Sequence, residues 1–284
     1  MLIKVAIAGI AGRMGRTLAE MVHAADDLEL VGGLERAGSP FLGQSIEAGL
    51  SLPSAKSKIV DDIADLPAFE VLLDFTTTQS TLAHLATCLT RGAAMVIGTT
   101  GFTADEAVKI QQASTQITIV HAQNYSVGLT LLLDLVQQTS SKVGAETDVE
   151  ILEWHHNQKV DAPSGTAYAL LEAVKAGRQN AHGSSVHGRE GLVGARPAGE
   201  IGLHAVRGGD IIGEHQVLFA MNGERIELTH RAASRSNFAE GALRAARWGI
   251  ASGLTGLFDM RDVLGLDRDL RDCSADMKIG WRLR

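Results

Sequence analysis

The first half of the chain alternates short apolar runs with segments whose apolar residues recur at helical spacing. Continuous apolar runs are typical of strands that are buried on both faces of a parallel sheet. Because helical segments lie between these runs, the pattern favours a doubly wound α/β domain. We predict its strands at residues 2–8, 28–34, 71–75, 94–97 and 117–120.

The pattern changes after Gly128. Apolar residues keep helical spacing over 129–143, and a further helix is predicted to open at Pro163. The later strands have no helices between them, and the pair Asn222-Gly223 predicts a hairpin turn. We therefore expect an α+β domain with a mostly antiparallel mixed sheet. Its strands are predicted at 147–154, 201–206, 216–221 and 225–229.

These patterns divide the chain into two domains. Residues 1–127 form the first domain, which the segment 237–284 completes with a predicted helix at 238–252. Residues 128–236 form the second domain. The length of 284 residues is enough for two hydrophobic cores of this size.

A glycine turn formed by Gly9, Gly12 and Gly15 follows the first strand and opens the first helix. Glycines in this place let the backbone approach a pyrophosphate at the helix N-terminus. The spacing is G-x-x-G-x-x-G, whereas the usual pattern is G-x-G-x-x-G. Glu35 follows about 20 residues after Gly15, where an acid commonly binds the ribose hydroxyls of NAD. The segment therefore predicts a Rossmann-like dinucleotide-binding domain.

Composition excludes several classes of protein. The formal net charge is −7, so the chain offers no basic stripe for nucleic acid. Its two cysteines, Cys88 and Cys273, cannot form a disulfide framework and favour a reducing, cytoplasmic location. No apolar run is long enough to span a membrane. The adjacent His155 and His156 have no third ligand at useful spacing, so no metal site is predicted.

Arg36 and three polar loops are further candidates for cofactor binding. Arg36 can pair with the 2′-phosphate of NADP, so with Glu35 beside it neither NADH nor NADPH is excluded. The loops 76–78, 98–102 and 123–126 each follow a predicted strand. Ligands of doubly wound sheets bind beyond these carboxyl ends, so we expect the loops to contact the cofactor.

The densest group of chemically active side chains lies between residues 153 and 166. His155 is suited to proton transfer near neutral pH, and Lys159 is a cation four residues later. Ser164, Gly165 and Thr166 offer backbone N–H groups and two hydroxyls at a predicted helix start, which binds anions well. Each residue alone is compatible with a surface loop. Together they predict a proton donor, a fixed cation and a carboxylate site.

This segment resembles the signature of a known family. The run His-His-x-x-Lys-x-Asp-x-Pro-Ser-Gly-Thr-Ala, from His155 to Ala167, is similar to that of the 4-hydroxy-tetrahydrodipicolinate reductases, or dihydrodipicolinate reductases. One departure is Thr78, which stands where the family usually has a proline. Further family-like motifs lie at 9–15, 74–76, 98–102 and 124–128.

The resemblance implies a reaction and roles for individual residues. The reaction is the NADH- or NADPH-dependent reduction of 4-hydroxy-tetrahydrodipicolinate to tetrahydrodipicolinate with loss of water, in the diaminopimelate route of lysine biosynthesis. His155 is expected to be the general acid, and Lys159 to stabilise negative charge. The implied substrate contacts are His156, Ser164, Gly165, Thr166 and Arg235.

The resemblance also implies how the cofactor is held and how the chains assemble. Family members are commonly tetramers, so we expect a homotetramer built through the second domain, which has an antiparallel sheet with one open face. The implied cofactor contacts are Gly9, Gly12, Arg13, Met14, Gly15, Glu35, Arg36, Phe75, Thr76, Gly98, Thr99, Thr100, Gln123, Asn124 and Tyr125.

Two other functions share a dinucleotide-binding domain. A semialdehyde dehydrogenase needs a catalytic thiol, but Cys88 lies in a predicted helix and Cys273 near the end of the chain. A protein that only senses NAD needs the cofactor domain without His155, Lys159 and the Ser-Gly-Thr turn. A recognition helix with a basic face would favour that function, and the sequence predicts none.

Overall fold

The computed structural model describes residues 2–53, 57–179, 183–234 and 236–266, and these residues form two compact units. The first unit consists of the residues up to Val127 together with the segment that starts at Ser236. The second unit consists of residues 128–234 of the described chain. Of the helices in these ranges, none combines the length and the apolar character that a membrane span requires.

Strands and helices alternate along the first part of the chain, as the apolar pattern predicts. β2 and β5 have the predicted bounds, and the other predicted elements differ by one or two residues at their ends. The elements before Val127 are β1 (Ile3–Ala8), α1 (Arg13–Ala24), β2 (Leu28–Leu34), α2 (Ile46–Leu50), β3 (Ile59–Val60), a 3₁₀ turn (Ile63–Asp65), β4 (Val71–Asp74), α3 (Thr78–Arg91), β5 (Ala94–Ile97), α4 (Ala104–Ala113) and β6 (Thr118–His121).

Strands dominate the middle of the chain, and helices return at its end. The Asn222-Gly223 turn joins two antiparallel strands, which confirms the predicted hairpin. The elements from Val127 onward are α5 (Val127–Val143), β7 (Asp148–His155), α6 (Gly165–Gly177), β8 (Ser185–Val186), β9 (Ile201–Arg207), β10 (Glu214–Met221), β11 (Glu224–Arg231), α7 (Ser236–Ser252), β12 (Gly256–Phe258) and α8 (Met260–Leu264).

The first unit contains a seven-stranded parallel sheet in the order β12-β6-β5-β4-β1-β2-β3. This is a doubly wound sheet, so the predicted fold class is confirmed. The strands that follow β1 in the chain are added on one side of it up to β3, and from β4 onward they are added on its other side. The order of the strands therefore reverses between β1 and β4. The loops that follow these two strands touch, because a Cβ on Gly9 would lie 3.1 Å from Cγ2 of Thr76. Ligands of such sheets bind at this point.

Two hydrophobic cores explain why the strands of the first unit are continuous apolar runs. In β1, Val5 and Ile7 belong to one core, while Ala6 and Ala8 belong to the other. Successive residues of a strand point to opposite faces, and helices cover both faces of this sheet. The four buried positions from Val5 to Ala8 are therefore all apolar, and the strand ends where the glycine turn begins.

The second unit contains a five-stranded mixed sheet in the order β11-β10-β7-β9-β8. β10 pairs antiparallel with β11 and with β7, whereas β9 pairs parallel with β7 and with β8. The buried positions of β7 alternate as Val149, Ile151 and Glu153. The third of these is a carboxylate, and it lies opposite His215 of β10. The apolar face of this sheet thus ends in a polar pair.

Two local predictions need correction. The helix predicted to open at Pro163 begins at Gly165, because Ser164 has an extended backbone and its Oγ accepts the N–H of Ala167 at 3.1 Å. Ser164 is therefore the N-cap. Residues 38–57 are rich in Gly, Ser and Pro, which predicts a loop, but they contain α2 and lead into β3. These two elements are too short to leave a periodic pattern in the sequence.

Replacing Gly15 by Ala is expected to destabilise the first unit. The added Cβ would lie 2.1 Å from the carbonyl oxygen of Gly9 and 2.7 Å from Cα of Ile10, so backbone must move. We expect a loss of about 1–3 kcal/mol in the free energy of unfolding, measured by urea titration. Gly165→Ala is the matched control, since its Cβ would meet nothing within 4 Å. Similar losses in both variants would contradict the packing argument.

Candidate active site

The glycine turn after β1 leaves the start of α1 open to a ligand. Gly12 is the N-cap of α1, and within the described part of the chain the start of this helix has no side-chain cap. Gly9 has a φ of +72°, and its carbonyl oxygen accepts the N–H of Gly12 at 2.9 Å. The predicted contacts Arg13 and Met14 begin the helix, and Arg13 is exposed. The first N–H groups of α1 can therefore bind a phosphate oxygen.

Glu35 stabilises the same turn from the end of β2. Its Oε1 accepts the N–H of Ala11 at 2.8 Å, and no described residue bonds Oε2. Arg36 beside it is exposed and makes no side-chain bond within the described part of the chain. One carboxylate oxygen and one guanidinium therefore remain available next to the turn.

A buried carboxylate organises the loops after β4 and β5. Asp74 has no solvent exposure, and its Oδ1 accepts the hydroxyls of Thr76 at 2.6 Å and Thr81 at 3.1 Å. Its Oδ2 lies 2.7 Å from Nδ1 of His84. The hydroxyl of Thr99 joins the network and accepts the N–H of Thr76 at 3.0 Å. The network holds the two loops together at the carboxyl edge of the sheet.

Thr78, where the family usually has a proline, is the first residue of α3. Proline is favoured at this position because the N–H that it lacks would have no partner in the helix. Thr77 is the N-cap, and its Oγ1 accepts the N–H of Ser80 at 3.3 Å. The loop therefore enters the helix in the ordinary way without the proline.

The aromatic residues of these loops are packed inside the first unit. The ring of Phe75 lies 5.5 Å from that of Tyr125 and so close to Gly98 that any side chain there would clash with it. The side chain of Tyr125 is buried, and its hydroxyl lies 2.9 Å from the carbonyl oxygens of Ile97 and Val120. A cofactor contact of Tyr125 would thus have to come from its backbone. Among the other predicted contacts, Thr100 and Gln123 are exposed, and Asn124 accepts the N–H of Ser126.

The first unit therefore fits a dinucleotide. An uncapped helix start, a close glycine turn, an acid after β2 and polar loops after β4, β5 and β6 lie at one edge of the sheet. The same arrangement is used by doubly wound domains to hold a pyrophosphate and a ribose.

Glu153 is the centre of the polar group in the second unit. Its side chain is fully buried and forms a bidentate ion pair with Arg207, with N···O distances of 2.9 and 2.8 Å. Its Oε2 also bonds Nδ1 of His155, and its Oε1 accepts the N–H of Ser164 at 3.1 Å. Burial opposes the charge of Glu153, but bonds from Arg207 and His155 hold its pKa below 4.5. The sequence showed Glu153 and Arg207 only as ordinary charged residues.

His155 is oriented by this carboxylate. Its Nδ1 faces Glu153, so Nε2 is the nitrogen left for a substrate. Partial burial lowers the pKa of His155 below 6.5, while Glu153 opposes this shift. A dicarboxylate bound nearby would add negative charge and raise the pKa again. His155 can thus take up a proton when the site is filled.

Lys159 and the remaining predicted contacts lie on the loop between β7 and α6. The Nζ of Lys159 lies 2.8 Å from Oδ1 of Asp161, which is mostly exposed. Asp161 in turn accepts a bond from Arg207 through its carbonyl oxygen at 2.7 Å. His156 is partly exposed on the same loop. Arg235, the other predicted substrate contact, lies outside the described residues.

His215 was not predicted from the sequence. It is 5% exposed, its ring centroid lies 5.2 Å from that of His155, and its Nε2 lies 3.3 Å from Oγ of Ser164. Burial and the neighbouring His155 lower its pKa to about 3. No sequence motif marks it, because only the pairing of β10 with β7 brings it to Glu153.

The structure also corrects the argument against a metal site that was based on the spacing of ligands in the sequence. Ligand atoms of Glu153, His155 and His215 lie within 4.8 Å of one another, so a third ligand is present although the sequence spacing shows none. Both oxygens of Glu153 are, however, bonded by Arg207. A cation there would have to displace a guanidinium, so we do not assign a metal.

Comparison with known proteins decides the family. A family model described as dihydrodipicolinate reductase, N-terminus, matches residues 3–125, and one described as dihydrodipicolinate reductase, C-terminus, matches residues 128–264. The chain belongs to the dihydrodipicolinate reductase family. It is an oxidoreductase whose cofactor is NADH or NADPH, which confirms the resemblance found in the sequence.

Relatives cover nearly the whole chain. The 4-hydroxy-tetrahydrodipicolinate reductases of Burkholderia ambifaria (strain MC40-6) and Burkholderia cenocepacia are each 49% identical over 265 residues, which is 93% of this chain and 99% of each relative. A dipicolinate-bound dihydrodipicolinate reductase from Paenisporosarcina sp. TG-14 has a TM-score of 0.75 and 29% identity, and covers 91% of this chain and 98% of that one.

The dihydrodipicolinate reductase fold is shared with a semialdehyde dehydrogenase. Aspartate semialdehyde dehydrogenase II of Vibrio cholerae has a TM-score of 0.54 at 10% identity, over 89% of this chain and 100% of that one, which shows the fold alone. Cys88 is fully buried in α3, and burial raises its pKa to about 12. A thiol that stays protonated is a poor nucleophile. Cys273 lies outside the described residues.

Replacing Glu153 by Gln is expected to destabilise this reductase strongly. The change removes the buried charge and leaves Arg207, whose side chain is only 20% exposed, without its partner. Breaking a buried pair in this way typically costs about 3–5 kcal/mol. The pKa of Glu153 is lowered, so its stabilisation is present above pH 4.5 and is lost as the pH falls through the lower folded value. Urea titration should therefore show a large difference from wild type at pH 7 that shrinks below pH 4.5.

Asp27→Asn is the matched control for this prediction. Asp27 also forms a bidentate pair, with Arg247 at 2.6 and 2.8 Å, but both side chains are exposed. An exposed pair is worth about 0–1 kcal/mol. Equal losses in Glu153→Gln and Asp27→Asn would contradict the argument that burial makes the Glu153 pair important.

Proposed function

We propose that this chain reduces 4-hydroxy-tetrahydrodipicolinate to tetrahydrodipicolinate, with loss of water, in the diaminopimelate route of lysine biosynthesis. The observation that carries the proposal is the group built on Glu153, in which His155 and Ser164 share one buried carboxylate. It brings a proton donor to the start of a helix that can bind a carboxylate. The names of the relatives support the same substrate.

The start of α6 is the proposed site of one substrate carboxylate. The N–H groups of Gly165 and Thr166 have no carbonyl partner inside the helix. Two hydroxyls, on Ser164 and Thr166, lie beside them. A Cβ on Gly165 would meet nothing within 4 Å, so packing does not require this glycine. We infer that glycine here keeps the approach to the helix open for an anion.

Lys159 is the proposed electrostatic stabiliser. Its side chain is 20% exposed, and its ammonium pairs with an Asp161 side chain that is 56% exposed. Such an exposed pair is weak, so Lys159 can exchange it for, or share it with, a substrate carboxylate or the charge that develops on the ring.

His155 is the proposed general acid. Once the substrate hydroxyl has left as water, a bound dihydronicotinamide would supply a hydride to a carbon of the unsaturated ring, and the substrate would become an electron-rich enamine. The enamine needs a proton on carbon, and Nε2 of His155 can give it. Glu153 fixes the ring of His155 through Nδ1 and stabilises the imidazolium before transfer.

The decisive experiment measures turnover with the substrate made by dihydrodipicolinate synthase. His155→Ala and Lys159→Ala should each lower kcat roughly 100- to 10,000-fold, the usual loss for a general acid, because both act on the reacting ring. The dissociation constant of NADH should stay near the wild-type value. Oxidation of reduced nicotinamide followed by absorbance, with calorimetry for NADH binding, gives both quantities.

Lys175→Ala is the control for these variants. Lys175 lies in α6 and pairs with Glu172 three residues earlier, away from the helix start. Its replacement should leave kcat unchanged. If adding this substrate does not increase the oxidation of reduced nicotinamide by the wild-type protein, the proposed function is overturned. An unchanged kcat in His155→Ala would overturn the role of His155.

We also propose that both NADH and NADPH bind, and that Arg36 selects for the phosphate of NADPH. Arg36→Ala should raise the dissociation constant of NADPH roughly 10- to 100-fold, the range for loss of a hydrogen bond to a charged group. NADH serves as the control ligand, because it lacks the phosphate and should bind as before. Calorimetric dissociation constants that rise equally for both cofactors, or an unchanged constant for NADPH, would contradict this role.

A homotetramer built through the second unit remains a prediction, and so does the cytoplasmic location. The edge strand β11 supports the former, because most of its residues are exposed on both faces and Ile226 is 38% exposed. An exposed sheet edge is commonly covered in the assembled protein.

A further inference from the structure

His215 and Ser164 form a contact that the proposed reaction does not yet use. Nε2 of His215 lies 3.3 Å from Oγ of Ser164, and both side chains are buried. Oγ already accepts the N–H of Ala167 at 3.1 Å as the cap of α6. A serine hydroxyl has one proton to donate and two lone pairs, so the direction of the His215 bond decides what Ser164 offers to a ligand.

Two arrangements are possible for neutral His215. If Nδ1 carries the proton, Ser164 donates its hydroxyl to Nε2 and has no proton left for a ligand. If Nε2 carries the proton, it donates to Oγ and the serine proton is free to point elsewhere. The pKa of about 3 keeps the ring neutral at working pH, so one of these two forms is present.

The environment of Nδ1 distinguishes the two forms. This atom is buried and has no hydrogen-bond partner among the residues that the structure describes. Orphaned N–H groups in protein interiors are rarer than acceptors with an unused lone pair. The first arrangement would bury an unpaired N–H, whereas the second leaves only an unused lone pair. The geometry therefore favours the proton on Nε2.

We propose that His215 is a positioning residue that turns Ser164 into a donor for a substrate carboxylate. The Nε2–H of His215 and the N–H of Ala167 fill both lone pairs of Oγ, so the hydroxyl proton has to point away from them. This inference rests on the proposed carboxylate site at the start of α6. The bond from His215 also polarises the hydroxyl and strengthens it as a donor.

Nuclear magnetic resonance can read the tautomer directly. Two-bond correlations between ring protons and nitrogens, in protein with ¹⁵N-labelled histidine, distinguish Nε2–H from Nδ1–H. Comparison with His215→Gln identifies the resonances of His215. We expect the Nε2–H form in the full-length protein, with and without pyridine-2,6-dicarboxylate. The Nδ1–H form in the complex would overturn the proposal.

Substitutions test whether the bond matters for binding. Pyridine-2,6-dicarboxylate is the probe, because it carries two carboxylates on a flat ring that resists reduction. His215→Leu and His215→Asn should raise its inhibition constant roughly 10- to 100-fold, the range for loss of a bond to a charged group. His215→Gln should stay within a few-fold of wild type, since its amide N–H can reach the place of Nε2 whereas that of Asn is too short.

A double-mutant cycle separates positioning from simple packing. In a Ser164→Ala background, His215→Leu should change the inhibition constant by less than about twofold, because the proton that it orients is gone. The NADH dissociation constant, which reports on the first unit, should be unchanged in every variant. Additive effects of the two substitutions, or an equal loss in His215→Gln and His215→Leu, would overturn the role of His215.

The same measurements separate this inference from the proposed function. If the wild-type protein does not bind pyridine-2,6-dicarboxylate, the carboxylate site itself is wrong and both proposals are overturned. If the wild type binds it and Ser164→Ala weakens binding while the His215 variants do not, only the inference about His215 is overturned.

Discussion

The second unit depends on one buried carboxylate. Glu153 occupies the last buried position of β7, where the alternation of the strand would otherwise place an apolar residue. A charge in that position is tolerated because Arg207, His155 and the N–H of Ser164 surround it. The same contacts fix the three elements that carry the proposed chemistry, namely the end of β7, the end of β9 and the start of α6. The stability of this unit and its proposed chemistry therefore depend on the same ion pair.

The first unit uses a similar device at its own site. Asp74 ends β4 with no solvent exposure, and its oxygens bind hydroxyls from two loops and the ring of His84. In both units a strand places a buried carboxylate where the apolar core meets the proposed binding site. The carboxylate is held by donors that come from distant parts of the sequence, so each site is rigid only in the folded chain. Polar groups on the surrounding loops, such as the hydroxyl of Thr99, are then held in place.

Neutral and charged groups have separate tasks in the second unit. The charged pair of Glu153 and Arg207 orients the imidazole of His155. His215 stays neutral because burial and the nearby His155 both disfavour its charge. A neutral imidazole can act through the position of a single proton, whereas a charged one would add a third cation beside Lys159 and Arg207. The difference in environment between the two histidines thus gives each a different use.

The sequence by itself determined the parallel sheet, the glycine turn, the hairpin at Asn222-Gly223 and the segment from His155 to Thr166, because each is a local pattern of period, turn chemistry or adjacent functional groups. It did not reveal Glu153, Arg207 and His215 as one group, since these residues come from three strands and only the mixed pairing of β7 with β9 and β10 joins them. It also placed the start of α6 two residues early, because Pro163 suits a first turn equally well until the cap made by Ser164 is seen. Patterns within a strand or helix are set by neighbours in the chain, whereas the partner of a buried charge is set by the register of the sheet, and only the tertiary structure decides that.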